Sequence, residues 1–159
     1  MQTRKAIFID VDKAKAIEKL ARRSDHRTLA LWAADCAERV LPYFEEKYPG
    51  EDRPRQAIEE ARKWASTGAF HMSDVRGFSL SSHAVARDAD EESPARFAAR
   101  AAGQAMATAH VPTHSIAAAW YAAKAVWAAD PKNAQVNIAK ERDWQYRRLL
   151  ELSETAQRT

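Results

Sequence analysis

Apolar residues along this chain recur at helical spacing, and the pattern predicts a succession of helices. The first runs from about Asp12 to Arg23 and ends at the polar stretch RRSD. Ser24 or Asp25 then offers an oxygen to an unpaired amide in the first turn of the next helix. On that helix Leu29, Trp32, Ala33, Cys36 and Val40 share a face. Pro42 lacks an amide hydrogen and crowds the preceding turn, so a kink or restart is expected there, with YFEEKY continuing as helix. The turn cluster YPGEDRP leads to a third helix, capped by Asp52 and carrying Arg53 and Pro54 in its first turn. Ala57, Ile58, Ala61, Trp64 and Ala65 make its buried stripe, and Glu59 and Lys63 form an exposed pair one turn apart. Gly68, which accepts the left-handed conformation, ends it.

Ser73 is placed to cap a fourth helix reaching about Ala89, in which Gly77 and several serines dilute the pattern. The acidic loop RDADEES follows, and Ser93 and Pro94 open a fifth helix in the favoured cap-then-proline order. A break near Val111–Pro112 leads to a sixth. There Ile116, Trp120, Ala123 and Trp127 share one face, and His114, Ala117, Tyr121, Lys124 and Ala128 the neighbouring one. Apolar nearly all round, this helix is expected to be central and buried. Asp130 and Pro131 start the last helix, whose apolar stripe reads Val136, Ala139, Tyr146 and Leu150. The only strand-like piece is AIFID, residues 6–10. With no internal repeat and no flexible linker, the expectation is an all-α fold. It is a single domain, residues 1–159, of about six to seven helices bundled around alanine-rich central ones.

Composition sharpens this picture. Alanine makes up about a fifth of the 159 residues and glycine is scarce, as good helix formers dominate. The formal net charge of +3 is too small for the electrostatic footprint of a nucleic-acid binder. It is also unevenly spread. Residues 51–92 are net acidic, and 93–129 hold only Arg96, Arg100 and Lys124 as charged side chains. The stretch 97–129 is apolar enough to raise the question of a membrane. Gln104, His110, Pro112, His114 and Lys124 interrupt it, however, and a spanning helix needs about 20 strongly apolar residues. The amino terminus has no apolar core of signal-peptide length, and the lone Cys36 excludes an internal disulfide; both fit a cytoplasmic protein.

Candidate chemistry is sparse. His110 and His114, four apart, have metal-chelating spacing. Pro112 between them disturbs the geometry, and Val111 stands where a zinc protease has glutamate. Third ligands among His26, His83, Asp35 or Cys36 are not forced by spacing, so no metal or other cofactor is expected. Two histidines hydrogen-bonded within a helical core are the simpler reading. Asp35 and Arg39, one turn apart beside Cys36, suit a half-buried ion pair. Because 93–129 has no acid, Asp35 is also the candidate to answer Lys124 or a histidine from across the core. Cys36 has no local base and reads as a small buried side chain. Trp144 lies off its helix's stripe and is a candidate contact residue. No GxxxxGK[ST] or GxGxxG loop is present to hold phosphates.

Taken in order, HRTLALWAADCAERVLPYFEEKYPGEDRPRQAIEEARKWASTG, MSDVRGFSLSSHAVARDAD, ARFAARAAGQAMATAHVPTHSIAAAWYAAKAV and KERDWQYRRL resemble the bacterial and archaeal immunity-protein-five-like family across about residues 26–150. Positions matching the family pattern are Trp32, Asp35, Cys36, Arg53, Pro54, Trp64, His83, His110, His114, Tyr121 and Lys124. Gln104 departs from it, standing where histidine is expected, and RGFSLSSHAV replaces a more alanine-rich helix. The resemblance implies an all-α protein that neutralises a toxin protein of a polymorphic or contact-dependent system by direct contact. The acidic loop residues Asp88, Asp90, Glu91 and Glu92, with Trp144, are then candidate contacts for a basic toxin. Two alternatives stay open. One is an enzyme built on a pocket of Asp35, Cys36, Arg39, His110, His114, Tyr121 and Lys124. The other is a scaffold that dimerises through the alanine-rich helices.

Overall fold

The computed structural model describes residues 11–69 and 72–158, so the strand-like AIFID lies outside the described residues. Among the described residues seven α-helices follow one another: α1 (Val11–Arg22), α2 (His26–Glu45), α3 (Arg53–Thr67), α4 (Met72–Asp88), α5 (Pro94–Ala107), α6 (His114–Ala129) and α7 (Ala134–Arg158), with a 3-10 turn at Pro131–Asn133 before α7. No strand occurs among the described residues, and the fold is all-α as expected.

The helix starts follow local chemistry. Asp25 caps α2, accepting from the Thr28 amide at 2.8 Å and from its hydroxyl at 2.9 Å. Ser93 caps α5 through the Arg96 amide. Asp52 holds the cap position of α3 but makes no capping bond; its carboxylate takes the Gln56 side-chain amide instead. Gly68, at φ 70°, closes α3 with its amide on Trp64 O. Of the two outcomes expected at Pro42 the restart does not occur, and α2 continues as helix beyond the proline to Glu45. The proline sits in its last turn, where few hydrogen bonds remain to be lost. Ser73 falls inside α4 rather than at its cap, and α4 is continuous through Gly77. Glu59 and Lys63 lie exposed and form no ion pair.

One apolar cluster, to which every helix contributes, fills the interior. Helix α5 lies deepest, packing most extensively on α6, α4 and α2. Nine of its residues are buried, six of them alanines, and Arg96, Arg100, Gln104 and Ala107 form its one stripe toward solvent. The expectation for α6 needs correction. Ser115, Ala118, Ala119, Ala122, Ala123 and Ala125 are buried, while Ile116, Trp120, Tyr121, Lys124 and Trp127 sit partly exposed at its rim. Small side chains let α2 and α5 approach the alanine side closely, and bulky ones are left for the edges.

Helix α7 overturns a second expectation. Val136 is 58% exposed, Ala139 is exposed and Leu150 lies at the surface. The face turned inward carries Ile138, Glu141, Arg142, Gln145, Leu149 and Ser153. Burial of such polar groups is tolerated only when they are paired, and α2, α6 and the turn before α2 supply partners.

Candidate functional site

The side chains expected to share one pocket fall into two groups on different parts of the bundle. The first joins α2 to α3 and α7. Asp35 accepts from Arg62 at 2.9 Å and from Arg148 at 2.8 Å, and Arg62 also donates to Glu38 at 2.6 Å. Its partner is therefore neither Arg39 nor Lys124. Arg39 instead forks onto the buried Glu141, Nε to Oε1 and Nη2 to Oε2, each at 2.9 Å. Its guanidinium stacks 4.0 Å from the Trp144 ring centroid, so Trp144 is engaged within the fold. Gln145 ties three helices together. Its carbonyl accepts Trp32 Nε1 at 2.8 Å, its amide nitrogen donates to Ala119 O of α6, and its Oε1 accepts from Arg142. Cys36 lies fully buried beside this network. Burial first, then the charges of Glu141 and Asp35, push its thiol well above the ordinary value, so it is held protonated and unreactive.

The second group covers the outer face of α4, α5 and α6. The His83 ring lies on Gly103, where an added Cβ would come within 2.8 Å of it. Glycine is needed there because of this close approach. Burial, with the positive charges of Arg100, Arg87 and His114 adding to it, pushes His83 down to about 4. His83 is therefore neutral at physiological pH, and its buried Nδ1 has no hydrogen-bond partner among the described residues. His114 Nδ1 lies 2.7 Å from Gln104 Oε1. An amide oxygen only accepts, so this nitrogen carries the proton. His110 is exposed in the turn between α5 and α6 rather than held in the core. Gln104, which departs from the family pattern, thus supplies the bond that orients His114.

Lys124 sits over three rings, with Nζ 4.3 Å from the centroid of Trp120, 4.5 Å from Phe97 and 5.6 Å from Tyr121. Burial lowers its pKa, and Glu92 opposes the shift. The acid that answers Lys124 therefore arrives from outside the acid-free segment, as charge balance requires, but from the α4–α5 loop and not from Asp35. Glu92 adopts a positive φ of 56° there. In the same loop Asp90 pairs with Lys47 at 2.7 Å, and Asp88 and Glu91 are exposed.

Between these features lie three arginines without a carboxylate. Arg87 on α4 and Arg96 and Arg100 on α5 form no side-chain hydrogen bond or ion pair among the described residues. Arg39, Arg53, Arg55 and Arg62 are each held above the usual range by a bonded carboxylate. Arg100 moves the other way, lowered by burial and then by Arg96 and Arg87. Periodicity favours apolar stripes, and so it passed over this stripe. Its signal was present all the same: Arg96, Arg100 and Gln104 are the polar positions of α5, spaced one turn apart in a segment free of acid.

Among the described residues no three His, Cys, Asp or Glu side chains are grouped to hold a metal ion, and no helix is long and apolar enough to cross a membrane. An open groove of about 550 Å³ between α1 and the start of α6 is lined by Leu29, Pro112, Ser115 and Ile116 among others, and by none of the candidate polar residues.

A chain of helices packed around one apolar cluster, with its outer face aromatic and cationic, belongs to the class of small all-α bundle proteins. Residues 19–152 match the family model described as Imm-5 like putative immunity protein, and the chain belongs to that family. No curated protein and no solved structure matches it.

Proposed function

We infer that the chain is an immunity-type protein that neutralises a toxin by direct protein contact in the cytoplasm of the cell that makes it. The observation that carries this reading is the family match over residues 19–152. Geometry supports it. The pocket an enzyme would need is dispersed: Asp35 and Arg39 are locked in ion pairs, Cys36 is buried, His110 points to solvent, and Lys124 is capped by aromatic rings. The alanine surfaces of α5 and α6 are spent inside the bundle, which disfavours a scaffold built on them. Inhibition then reduces to complementarity, with one face of the bundle covering the toxin's active site and excluding its substrate.

The test is co-expression. A candidate toxin of a polymorphic system is induced in a bacterial host with and without this chain. Survival only in its presence, with a one-to-one complex on purification, is the expected result. Equal killing with and without the protein contradicts the reading.

A further inference from the structure

The arginines of α4 and α5 stand out because nothing in the fold uses their charge. Arg96 and Arg100 lie one turn apart on the solvent stripe of α5, and His83, one turn before Arg87 on α4, lies on Gly103 of α5. Arg100 and Arg87 both act on this half-buried ring, and among the described residues no carboxylate is paired to any of the three arginines. Like charges gathered at a partly desolvated surface oppose folding. Elsewhere the chain spends its acids freely on arginine, as Asp35, Glu38, Glu45, Glu51 and Glu141 show. Tyr121, whose hydroxyl acts electrostatically on Arg100, stacks on Phe97, the residue after Arg96, and meets Trp120 edge-on. Arginine, tyrosine and tryptophan around a partly desolvated centre are what the energetic core of a protein interface is made of.

Resting on the immunity reading above, we propose that the face formed by Arg87, Arg96 and Arg100 with Tyr121 and Trp120 is the toxin-contacting surface, and that it receives a carboxylate-bearing surface of the toxin. Guanidinium forks pair two-pronged with carboxylates and stack on aromatic rings, so this face can bind and orient an acidic partner. A nucleic acid fits it less well. Asp88, Asp90, Glu91 and Glu92 adjoin Arg87 in the chain and would repel a phosphate backbone running past it. A protein surface can offer carboxylates to the arginines and cations to that loop.

Two measurements on the full chain decide it. In the first, the arginine side-chain Nε–Hε resonances of isotope-labelled protein are followed while a polyglutamate peptide is added, and separately an oligonucleotide of equal charge. The peptide is expected to shift Arg96 and Arg100 selectively. The paired variant Arg96→Glu with Arg100→Glu, checked for native circular dichroism, should weaken binding by about tenfold or more. Arg22→Glu with Arg23→Glu, at the exposed end of α1, should leave it unchanged. Tighter binding of the oligonucleotide through the same arginines, or no selective shift with the peptide, overturns the proposal. If charge reversal unfolds the protein, Arg96→Gln with Arg100→Gln replaces it. In the second, the same variants enter the co-expression assay. Protection by the wild type but not by the α5 variant is expected. Equal protection by both removes the surface assignment and leaves the immunity reading standing. If the wild type itself fails to protect, the immunity reading fails, and with it the toxin as the occupant of this face.

Discussion

Replacing Glu141 by alanine is expected to cost about 3 kcal/mol or more of folding stability, read as a lower urea midpoint with an unchanged slope. Glu141 is nearly inaccessible, with 7% of its side chain exposed, and it receives the forked guanidinium of Arg39. Arg39 is 42% exposed along its side chain, but its guanidinium is held against Trp144 by that fork. Removing the carboxylate therefore breaks a partly buried pair from one side and strips α7 of a tie to α2, which costs far more than the pair contributes. Glu141→Gln keeps a hydrogen-bond acceptor and is expected to lose roughly half as much. A change of less than about 0.5 kcal/mol in Glu141→Ala would show that α7 is not pinned through this carboxylate.

The second large effect belongs to Trp32. It is fully buried on α2, a helix that packs on α5, α6 and α7, and its indole N–H donates to Gln145 O. Trp32→Ala removes the largest fully buried side chain together with that hydrogen bond, so a loss of about 3–5 kcal/mol is expected. Trp32→Phe retains most of the volume and should lose only about 1–2 kcal/mol, chiefly the indole hydrogen bond. Thermal and urea unfolding of both variants give the comparison. For a domain of ordinary stability, about 5–15 kcal/mol, the alanine variant comes near the edge of folding. Near-equal losses in the two variants would mean that the hydrogen bond, not the packed volume, is what matters at this position.

These two residues also show what could be read from the sequence and what could not. Trp32 was legible because it repeats with Leu29, Ala33, Cys36 and Val40 at helical spacing, and all five are buried. Glu141 was not legible. A hydrophobic-period reading assigns Glu141, Arg142 and Gln145 to solvent and turns Val136 and Leu150 inward, the reverse of what the fold does. Polar residues are buried there only because Arg39, Trp32 and Ala119 complement them from other helices, and pairing across helices leaves no trace in the local pattern. The burial of α6 was misjudged for a related reason. Alanine and tryptophan both count as apolar, but only the first fits where helices touch closely.

Charge balance proved more informative than periodicity at the outer face. A lysine in an acid-free segment had to be answered from elsewhere, and Glu92 answers it, although the sequence pointed to Asp35. The same reasoning applied to Arg96 and Arg100 finds no answering acid among the described residues. A cluster left unanswered marks a surface retained for something other than stability.

That idea can be checked on the protein alone. The central claim is that the α5 arginines are held at a cost to the fold and not for its benefit. Thermal unfolding of Arg96→Gln with Arg100→Gln, compared with wild type at low and high salt, tests it most directly. The account predicts a variant that melts a few degrees higher at low ionic strength, with the gain shrinking as salt screens the repulsion. A variant that melts lower at both salt concentrations would show that the arginines serve the fold, and would contradict the claim.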